Sequence, residues 1–142
     1  FDVDDFKMIN DQYGHLVGDD VIKAVGQKCK EVMHEKDTLV GRYGGDEFVI
    51  LLKNFSQEQI INKANELFQA LSSMTVVSDG HKIQFTISMG MVCNSSIIAR
   101  KFKQLFSVAD QALYMAKNQG KNQIVSLSNM NCNLTNSPHP SS

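Results

Sequence analysis

The chain has little cysteine and proline and lacks tryptophan altogether: three cysteines, two prolines and no Trp among 142 residues. Cys29, Cys93 and Cys132 are odd in number, widely spaced and without a C-x-x-C pairing. This usage argues against both a disulfide framework and a zinc site. We therefore expect free thiols in a reducing compartment, with the cytoplasm as the first choice.

Long apolar runs and an excess of one charge are also missing. No apolar stretch approaches the roughly 20 residues that cross a bilayer, and we expect no signal peptide. The formal net charge is -1, so the surface is not that of a general binder of nucleic acid or anionic membrane. We expect neither contact from this domain, and any anionic ligand must be held locally.

The length and the 42% hydrophobic content fit one core. We predict one domain over residues 1–127 and a disordered tail over 128–142, which is rich in Asn and Ser and holds both prolines. The chain opens on FDVDDF, where Phe1 and Val3 share one face. This pattern reads as the end of a strand, and we expect the N-terminal part of the domain to be missing.

Apolar periodicity predicts three helices. Gly18 and two acidic residues stand at the start of the first, and Ser56 with Gln59 resembles a capping box at the start of the second. The predicted helices run from Asp19 to about Met33, onward from Ser56, and from Phe102 to a stop at Gly120.

Further stretches read as strands. LVGRY and FVILLK flank GGDE as a hairpin whose second strand we expect to be buried on both faces. Val76 and Val77, the Asp79-Gly80 turn and KIQFTISMGMV are predicted to make another hairpin that ends in a long strand. Residues 123–127 form a last strand. Strands interleaved with helices predict an α+β fold, a mainly antiparallel sheet covered by helices. In such a sheet Asp2 can lie next to Asp46 and Glu47.

The stretch RYGGDEFVI places two glycines and two adjacent carboxylates at the tip of the predicted hairpin. Glycines suit a tight turn because they accept positive φ. Clustered carboxylates raise one another's pKa, and a divalent cation removes that cost. Asp2, the carbonyl of Val3 and Asp46 form a plausible magnesium ligand set. The alternative is that acidic residues only decorate an exposed turn.

The stretch FKMINDQYGHLVGDD carries further polar groups close to the acidic strand end. Asn10 and Asp19 together can pair with the edge of a guanine base, and Lys7 suits a phosphate. Each of these residues also has an alternative structural role when it is considered alone. Asp19 could be a helix cap, Asn10 a turn residue and His15 a surface histidine.

Two lysines lie near the other end of the chain. Lys117 falls in the last turn of the third predicted helix, and Lys121 falls just beyond Gly120. Their alternative role is to complement the helix dipole.

Taken together, FDVDDFKMINDQYGHLVGDD, RYGGDEFVILL, TISMGMV and ADQALYMAKNQGKNQIV resemble the GGDEF domains of bacterial diguanylate cyclases, in family order and at family-like separations. The resemblance covers nearly everything before the tail. It implies a palm-like, ferredoxin-like fold related to nucleotide cyclases and polymerases. The implied reaction condenses two GTP molecules into cyclic di-GMP and releases pyrophosphate.

The resemblance also implies roles for individual residues. Two Mg²⁺ ions, with Mn²⁺ as the alternative ion, would be held by Asp2, the Val3 carbonyl and Asp46. Asp46 would be the base for the 3'-hydroxyl, with Glu47 beside it. The guanine base would be held by Asn10, His15 and Asp19. The phosphates would be held by Lys7, Lys117, Lys121 and the backbone near Asp5 and Phe6. Gly44 and Gly45 would let the nucleotide approach the chain.

The resemblance implies a partner as well, because each domain binds one GTP and the product needs two domains facing each other as a homodimer. An upstream sensor or receiver domain would set that geometry in the cytoplasm, or on the cytoplasmic side of a membrane-anchored protein. A D-x-L-T-x-L-x-N-R type element normally precedes the first strand and is not found here, so the activity of the chain is open. The alternatives are a catalytically silent GGDEF-like module that binds GTP or a partner protein, and another nucleotidyl cyclase on the same palm.

One family element is altered. Many members carry an R-x-x-D element five residues before the GGDEF letters, and the product binds there as an inhibitor. The corresponding residues here are Glu35, Lys36, Asp37 and Thr38. A glutamate replaces the arginine whose planar fork would hold the dinucleotide. We therefore expect no feedback inhibition through this segment.

Overall fold

A computed structural model describes residues 1–93 and 102–128. Cys132 and residues 129–142 of the predicted tail lie outside the described residues. Within the described part, none of the helices is long and apolar enough to cross a bilayer. The elements in chain order are β1 (Asp2–Val3), α1 (Phe6–Tyr13), α2 (His15–Val32), β2 (Thr38–Gly44), β3 (Glu47–Leu52), α3 (Gln57–Ser72), β4 (Val76–Ser78), β5 (His81–Ile83), β6 (Ile87–Cys93), α4 (Phe102–Asn118) and β7 (Gln123–Ser128).

Five strands form one sheet in the order β2-β3-β1-β6-β7, and β4 and β5 form a separate hairpin. β1 is antiparallel to both of its neighbours, β3 and β6, whereas β6 and β7 are parallel. The predicted α+β architecture with a mainly antiparallel sheet is therefore confirmed. The short central strand β1 brings the start of the chain into the middle of the sheet.

Helices cover both faces of this sheet. On one face α2 and α3 enclose the main core, in which Val21, Val25, Leu67, Leu71 and Ile87 are fully buried or nearly so. On the other face α4 packs on β6 and β7, and its backbone approaches Gly90 so closely that a Cβ there would lie 2.2 Å from the Leu113 nitrogen. A side chain at position 90 would push α4 away from the sheet.

Several sequence predictions of local structure are confirmed. The capping box at the start of α3 is present, because the Ser56 hydroxyl accepts from the Gln59 amide while the Gln59 side chain accepts from the Ser56 amide. Cys29 and Cys93 are buried free thiols, as expected. Burial raises the pKa of the Cys29 thiol to about 12, which leaves it unreactive.

The predicted start of the first helix is wrong. The sequence predicted a helix from Asp19, whereas α2 begins at His15 and a separate helix α1 precedes it. Gly14 adopts φ 96° between the two helices, and its amide caps the carbonyl of Asn10. Ile9 is the buried residue of α1, so the short helix gave too weak a periodicity to be recognised.

The strand predictions need three corrections. KIQFTISMGMV is not one strand, because residues 84–86 separate β5 from β6 and the two belong to different sheets. β3 is not buried on both faces, since only Phe48 is buried along it and Leu51 is 37% exposed. Gly44 and Gly45 do not have positive φ; Gly44 pairs with Glu47 across the turn, and the register of the β2–β3 ladder shifts between Arg42 and Gly44.

Candidate active site

The end of β1 lies against the turn that joins β2 to β3. Asp2 pairs directly with Glu47 in the ladder between β1 and β3, and the Val3 amide donates to the Asp46 carbonyl at 3.3 Å. The sequence prediction that Asp2 would lie next to Asp46 and Glu47 is therefore confirmed. The backbone pairing of β1 with β3 thus makes these three acidic residues neighbours, although Asp2 is more than 40 positions away in the sequence.

Asp2 is a buried carboxylate with only one of its oxygens satisfied. Its residue is 5% exposed, Oδ2 accepts a hydrogen bond from Lys117, and Oδ1 is buried without a hydrogen-bond partner among the described residues. Burial raises the pKa of Asp2, although the hydrogen bond and charge of Lys117 oppose this. A buried oxygen without a partner costs about 1–3 kcal/mol, so this position favours an added cation or donor.

Glu47 and Lys117 share this electrostatic environment. Burial raises the pKa of the half-buried Glu47, and the negative charges of Asp110 and Asp2 raise it further. Burial alone would lower the pKa of Lys117, but its hydrogen bond to Asp2 and the charges of Asp2 and Asp46 raise it overall. Negative charges therefore outnumber positive ones among the side chains of Asp2, Asp46, Glu47 and Lys117.

The protein supplies only part of the ligand set that a magnesium ion would need at this position. No group of three or more His, Cys, Asp or Glu side chains among the described residues is arranged to hold a metal. Asp2 and Asp46 nevertheless offer carboxylate oxygens beside the backbone of Val3, and Oδ1 of Asp2 has no hydrogen-bond partner within residues 1–93 and 102–128. Mg²⁺ prefers such a partial set, because substrate phosphates and water supply its remaining ligands.

Asp4 was missed by the sequence prediction. It is 5% exposed and accepts hydrogen bonds from Thr86 Oγ1 and Ser88 Oγ, both at 2.6 Å, and from the Asn122 amide at 3.0 Å. These contacts tie the segment after β1 to β6 and to the segment before β7. The signal was available, because the alternation that pairs Phe1 with Val3 also places Asp2 and Asp4 together on the opposite face.

Lys121 is tied to the same loop. Its ammonium lies 2.7 Å from Oδ1 of Asp5, and both residues adopt the left-handed backbone conformation, with φ 62° and 56°. Lys117 and Lys121, predicted to hold phosphates, thus contact carboxylates of β1 and of the segment that follows it, respectively. The structure brings together two regions of the chain more than 100 residues apart.

The corner between α1 and α2 gathers a second set of predicted residues. α1 folds back on α2 so closely that a Cβ on Gly18 would lie 1.8 Å from Asn10 Oδ1 and 3.2 Å from the Phe6 ring. This packing places Asn10 beside the turn of α2 that carries Asp19. His15 lies one helical turn before Asp19 on the same side of α2, and both are exposed.

The remaining predicted residues are more loosely placed. Lys7 is exposed and pairs with Asp11 at 3.2 Å along α1, so the structure does not bring it to the Asp2 carboxylate. A Cβ added to Gly44 or Gly45 would meet nothing within 4 Å. Arg42, which the sequence prediction missed, donates from two nitrogens to the Gly45 carbonyl at 2.9 and 2.6 Å and so braces the turn.

Comparison with known proteins identifies the family of the chain. The family model described as "Diguanylate cyclase, GGDEF domain" matches residues 1–123. Diguanylate cyclase A of Treponema denticola is 37% identical over 123 residues, which are 87% of this chain and 33% of that protein. The chain thus spans about a third of the length of this relative.

Solved structures give the same result at the level of the fold. The active GGEEF domain of a diguanylate cyclase from Vibrio cholerae superposes with a TM-score of 0.75 at 30% identity, covering 88% of this chain and 78% of that one. The GGDEF domain of DgcB from Caulobacter crescentus, solved in complex with c-di-GMP, gives 0.78 at 26% identity, covering 88% and 73%. The chain therefore belongs to the GGDEF domain family of diguanylate cyclases.

Proposed function

We propose that this domain is a diguanylate cyclase, which condenses two GTP molecules into cyclic di-GMP and two pyrophosphates. The observation that carries the proposal is the buried Asp2 carboxylate, which lies beside Asp46 and Lys117 and whose Oδ1 has no hydrogen-bond partner in the part of the chain that the structure describes. A carboxylate in this position suits a cation that also contacts a triphosphate. Family membership supplies the reaction type.

In this proposal Asp2, the carbonyl of Val3 and Asp46 would hold two Mg²⁺ or Mn²⁺ ions. When bound, the metal would lower the pKa of the attacking hydroxyl and neutralise charge on the leaving pyrophosphate. Asp46 accepts the proton of the 3'-hydroxyl. Glu47 lies directly opposite Asp2 in the ladder and adds negative charge that favours metal binding.

In this proposal the phosphates of GTP replace the carboxylates that Lys117 and Lys121 contact. Lys117 leaves Asp2, and Lys121 leaves Asp5, when the triphosphate of GTP enters between α4 and the segment before α1. The backbone near Asp5 and Phe6 donates to the phosphates, and Lys7 reaches them from the first turn of α1. These contacts place the α-phosphorus for attack, and positioning of this kind is the main source of catalysis in phosphoryl transfer.

The guanine base binds at the corner between α1 and α2. Asp19 accepts hydrogen bonds from N1-H and N2-H of the base, and Asn10 pairs with its remaining polar edge. His15 lies on the same side of α2 and completes this surface. The turn at Gly44 and Gly45 has no side chains and leaves room for the nucleotide.

The product requires two copies of the domain. Each 3'-oxygen attacks the α-phosphorus of the GTP on the facing copy, a new P–O bond forms, and the bond to the β-phosphate breaks to release pyrophosphate. Two such steps close the ring. In this proposal the domain acts as an antiparallel homodimer in the cytoplasm, where an upstream sensor or receiver domain brings the two copies together.

Incubation of the purified domain with GTP and Mg²⁺ tests the proposal. We expect one cyclic di-GMP for every two GTP consumed and two pyrophosphates released, and no product from ATP. GTP binding without product, measured with the domain dimerised by a fused leucine zipper, would identify a silent GGDEF-like module instead. Product from ATP would identify a different nucleotidyl cyclase.

A further inference from the structure

Gly18 lies where α1 packs against α2, and its missing side chain leaves room for a residue of α1. It is buried near the start of α2. A Cβ at this position would lie 1.8 Å from Oδ1 and 2.9 Å from Cγ of Asn10, and 3.2 Å from the tip of the Phe6 ring. The Asn10 side chain therefore occupies the space that a methyl group at position 18 would need.

This space, and not the backbone, calls for glycine at position 18. The φ of Gly18 is not positive, and its amide donates to the Gly14 carbonyl at 3.1 Å, as in a regular helix. Alanine is the better helix former at such a position, because glycine loses more conformational entropy on folding. Gly14 is the opposite case, since it has φ 96° but a Cβ there would meet nothing within 4 Å among the described residues. The sequence thus keeps a poor helix former at position 18, where it contacts Asn10.

The contact also orients the Asn10 carboxamide. Its carbonyl points almost directly at the place of the missing Cβ, because the distances of its oxygen and its carbon from that place differ by close to the length of a C=O bond. The oxygen thus contacts the Gly18 Cα in the direction in which every other residue carries a side chain. The Nδ2 end is directed away from the backbone of α2, and its two N–H groups are the donors that Asn10 can offer to a base.

We propose that Gly18 is a specificity-determining residue, which holds the Asn10 carboxamide in the orientation that pairs with guanine. This role rests on the proposed function, in which Asn10 and Asp19 bind that base, and adds a positioning residue to it. A methyl group at position 18 would turn the carboxamide out of its place but would move the Phe6 ring only slightly. The base would then lose a partner while the triphosphate keeps its contacts.

Nucleotide binding by Gly18→Ala tests this role. The probes are 3'-deoxy-GTP and 3'-deoxy-ATP, which lack the attacking hydroxyl and therefore cannot react. We expect the ratio of their affinities to fall about tenfold, as for one lost hydrogen bond to the base. The affinity for 3'-deoxy-ATP should stay at the parental level, and the melting temperature should stay or rise, because alanine favours the helix. A glycine needed for packing alone would instead lower the melting temperature and weaken both nucleotides equally.

Asn10→Ala shows whether the effect of Gly18→Ala passes through Asn10. Alone it should lower the affinity ratio by a similar factor, and in the double variant Gly18→Ala should lower the ratio no further, because no carboxamide is left to displace. Without nucleotide, the NMR signal of the Asn10 side-chain amide, identified by its absence in Asn10→Ala, should shift in Gly18→Ala.

Gly26→Ala is the matched control, since it makes the same change within α2. A Cβ there would lie 3.6 Å from the Phe48 ring, which is an ordinary contact, so we expect the parental affinity ratio and an unshifted Asn10 signal.

The measurements distinguish failure of this role from failure of the proposed function. A parent chain that binds 3'-deoxy-GTP no better than 3'-deoxy-ATP would overturn the proposed function and the role of Gly18 with it. A parent chain that prefers 3'-deoxy-GTP, with the preference retained in Gly18→Ala, would overturn the role of Gly18 alone. An unfolded Gly18→Ala protein, an equal loss in Gly26→Ala, or additive losses in the double variant would do the same, because the effect would then not pass through Asn10.

Discussion

Lys117 on α4 donates a hydrogen bond to Oδ2 of Asp2 on β1, and the two residues are 115 positions apart in the sequence. The lysine ammonium is thus hydrogen-bonded to the carboxylate that we propose as a metal ligand. A cation and an ammonium compete for the same oxygen atoms. The pair therefore links metal binding to release of the lysine, which in turn becomes available to a phosphate.

Replacing Lys117 with Gln should make metal binding tighter in the absence of nucleotide. Removing the competing ammonium leaves Asp2 free, and we expect Mn²⁺ affinity to rise several-fold, about 1 kcal/mol for a partly exposed pair. Mn²⁺ electron paramagnetic resonance measures this without turnover. Lys103→Gln removes the same charge from the first turn of α4 and serves as the control. Equal Mn²⁺ affinity in parent and Lys117→Gln would show that the lysine does not compete.

Replacing Asp19 with Ala should weaken the preference for guanine over adenine. A lost charge-assisted contact costs roughly 1.5 to 3 kcal/mol, so the ratio of GTP to ATP affinity should fall by about ten- to a hundredfold. Competition binding with both nucleotides measures the ratio. If the ratio stays at its parental value, Asp19 does not contact the base.

Asp20 supplies the matched control for Asp19. It is the next residue on α2, but its carboxylate accepts a hydrogen bond from Ser78 Oγ at 2.5 Å and so holds the β4–β5 hairpin. We expect Asp20→Ala to lower the melting temperature and to leave the nucleotide preference unchanged. A loss of preference in both variants would indicate a general disturbance of α2.

The parts of the site that depend on neighbouring strands could be predicted from the sequence. The hairpin around Asp46 and the end of β1 are defined by local patterns, and a ladder between them sets Asp2 opposite Glu47. The contact from Lys117 could not be predicted, because it depends on how α4 lies across the sheet. The partial exposure of β3 could not be predicted either, because an apolar run such as FVILL has the same sequence pattern whether or not a strand lies beside it.

The connection from α2 to β2 should not act as an inhibitory product site. Glu35 stands at the arginine position of the R-x-x-D element, and its carboxylate pairs with Lys63 at 2.6 Å. Thr38 stands at the aspartate position and donates to the carbonyls of Met33 and Glu35. Both side chains are thus engaged within the fold. Initial rates at rising cyclic di-GMP should show only weak competition with GTP, and strong noncompetitive inhibition would contradict this.

The same pair predicts a pH dependence of stability. The hydrogen bond from Lys63 lowers the pKa of Glu35 below its ordinary value of 4.5, so the folded state favours the charged form. Its stabilisation is present above pH 4.5 and is lost as the pH falls through the lowered pKa. Glu35→Gln should therefore lower the melting temperature at pH 7, and the difference from the parent should shrink below pH 4.5.

Glu31→Gln is the control for this titration. Glu31 pairs with Lys28 at 3.1 Å on the surface of α2, where an exposed pair contributes little. We expect its melting temperature to follow the parent at every pH. A constant difference between Glu35→Gln and the parent from pH 7 to pH 3 would show that the carboxylate charge is not involved.

The most direct test of the proposed active site compares cyclic di-GMP synthesis by the parent and by Asp46→Asn. The change removes one charge but keeps the shape of the side chain and the carbonyl that accepts from Val3, so the melting temperature should stay near that of the parent. Asp79→Asn, in the β4–β5 turn, makes the same chemical change away from the site at a residue with φ 50°, which asparagine tolerates. We predict that Asp46→Asn loses about a hundredfold or more of the rate while Asp79→Asn keeps it. Synthesis by a folded Asp46→Asn protein at the parental rate would contradict the assignment of this site.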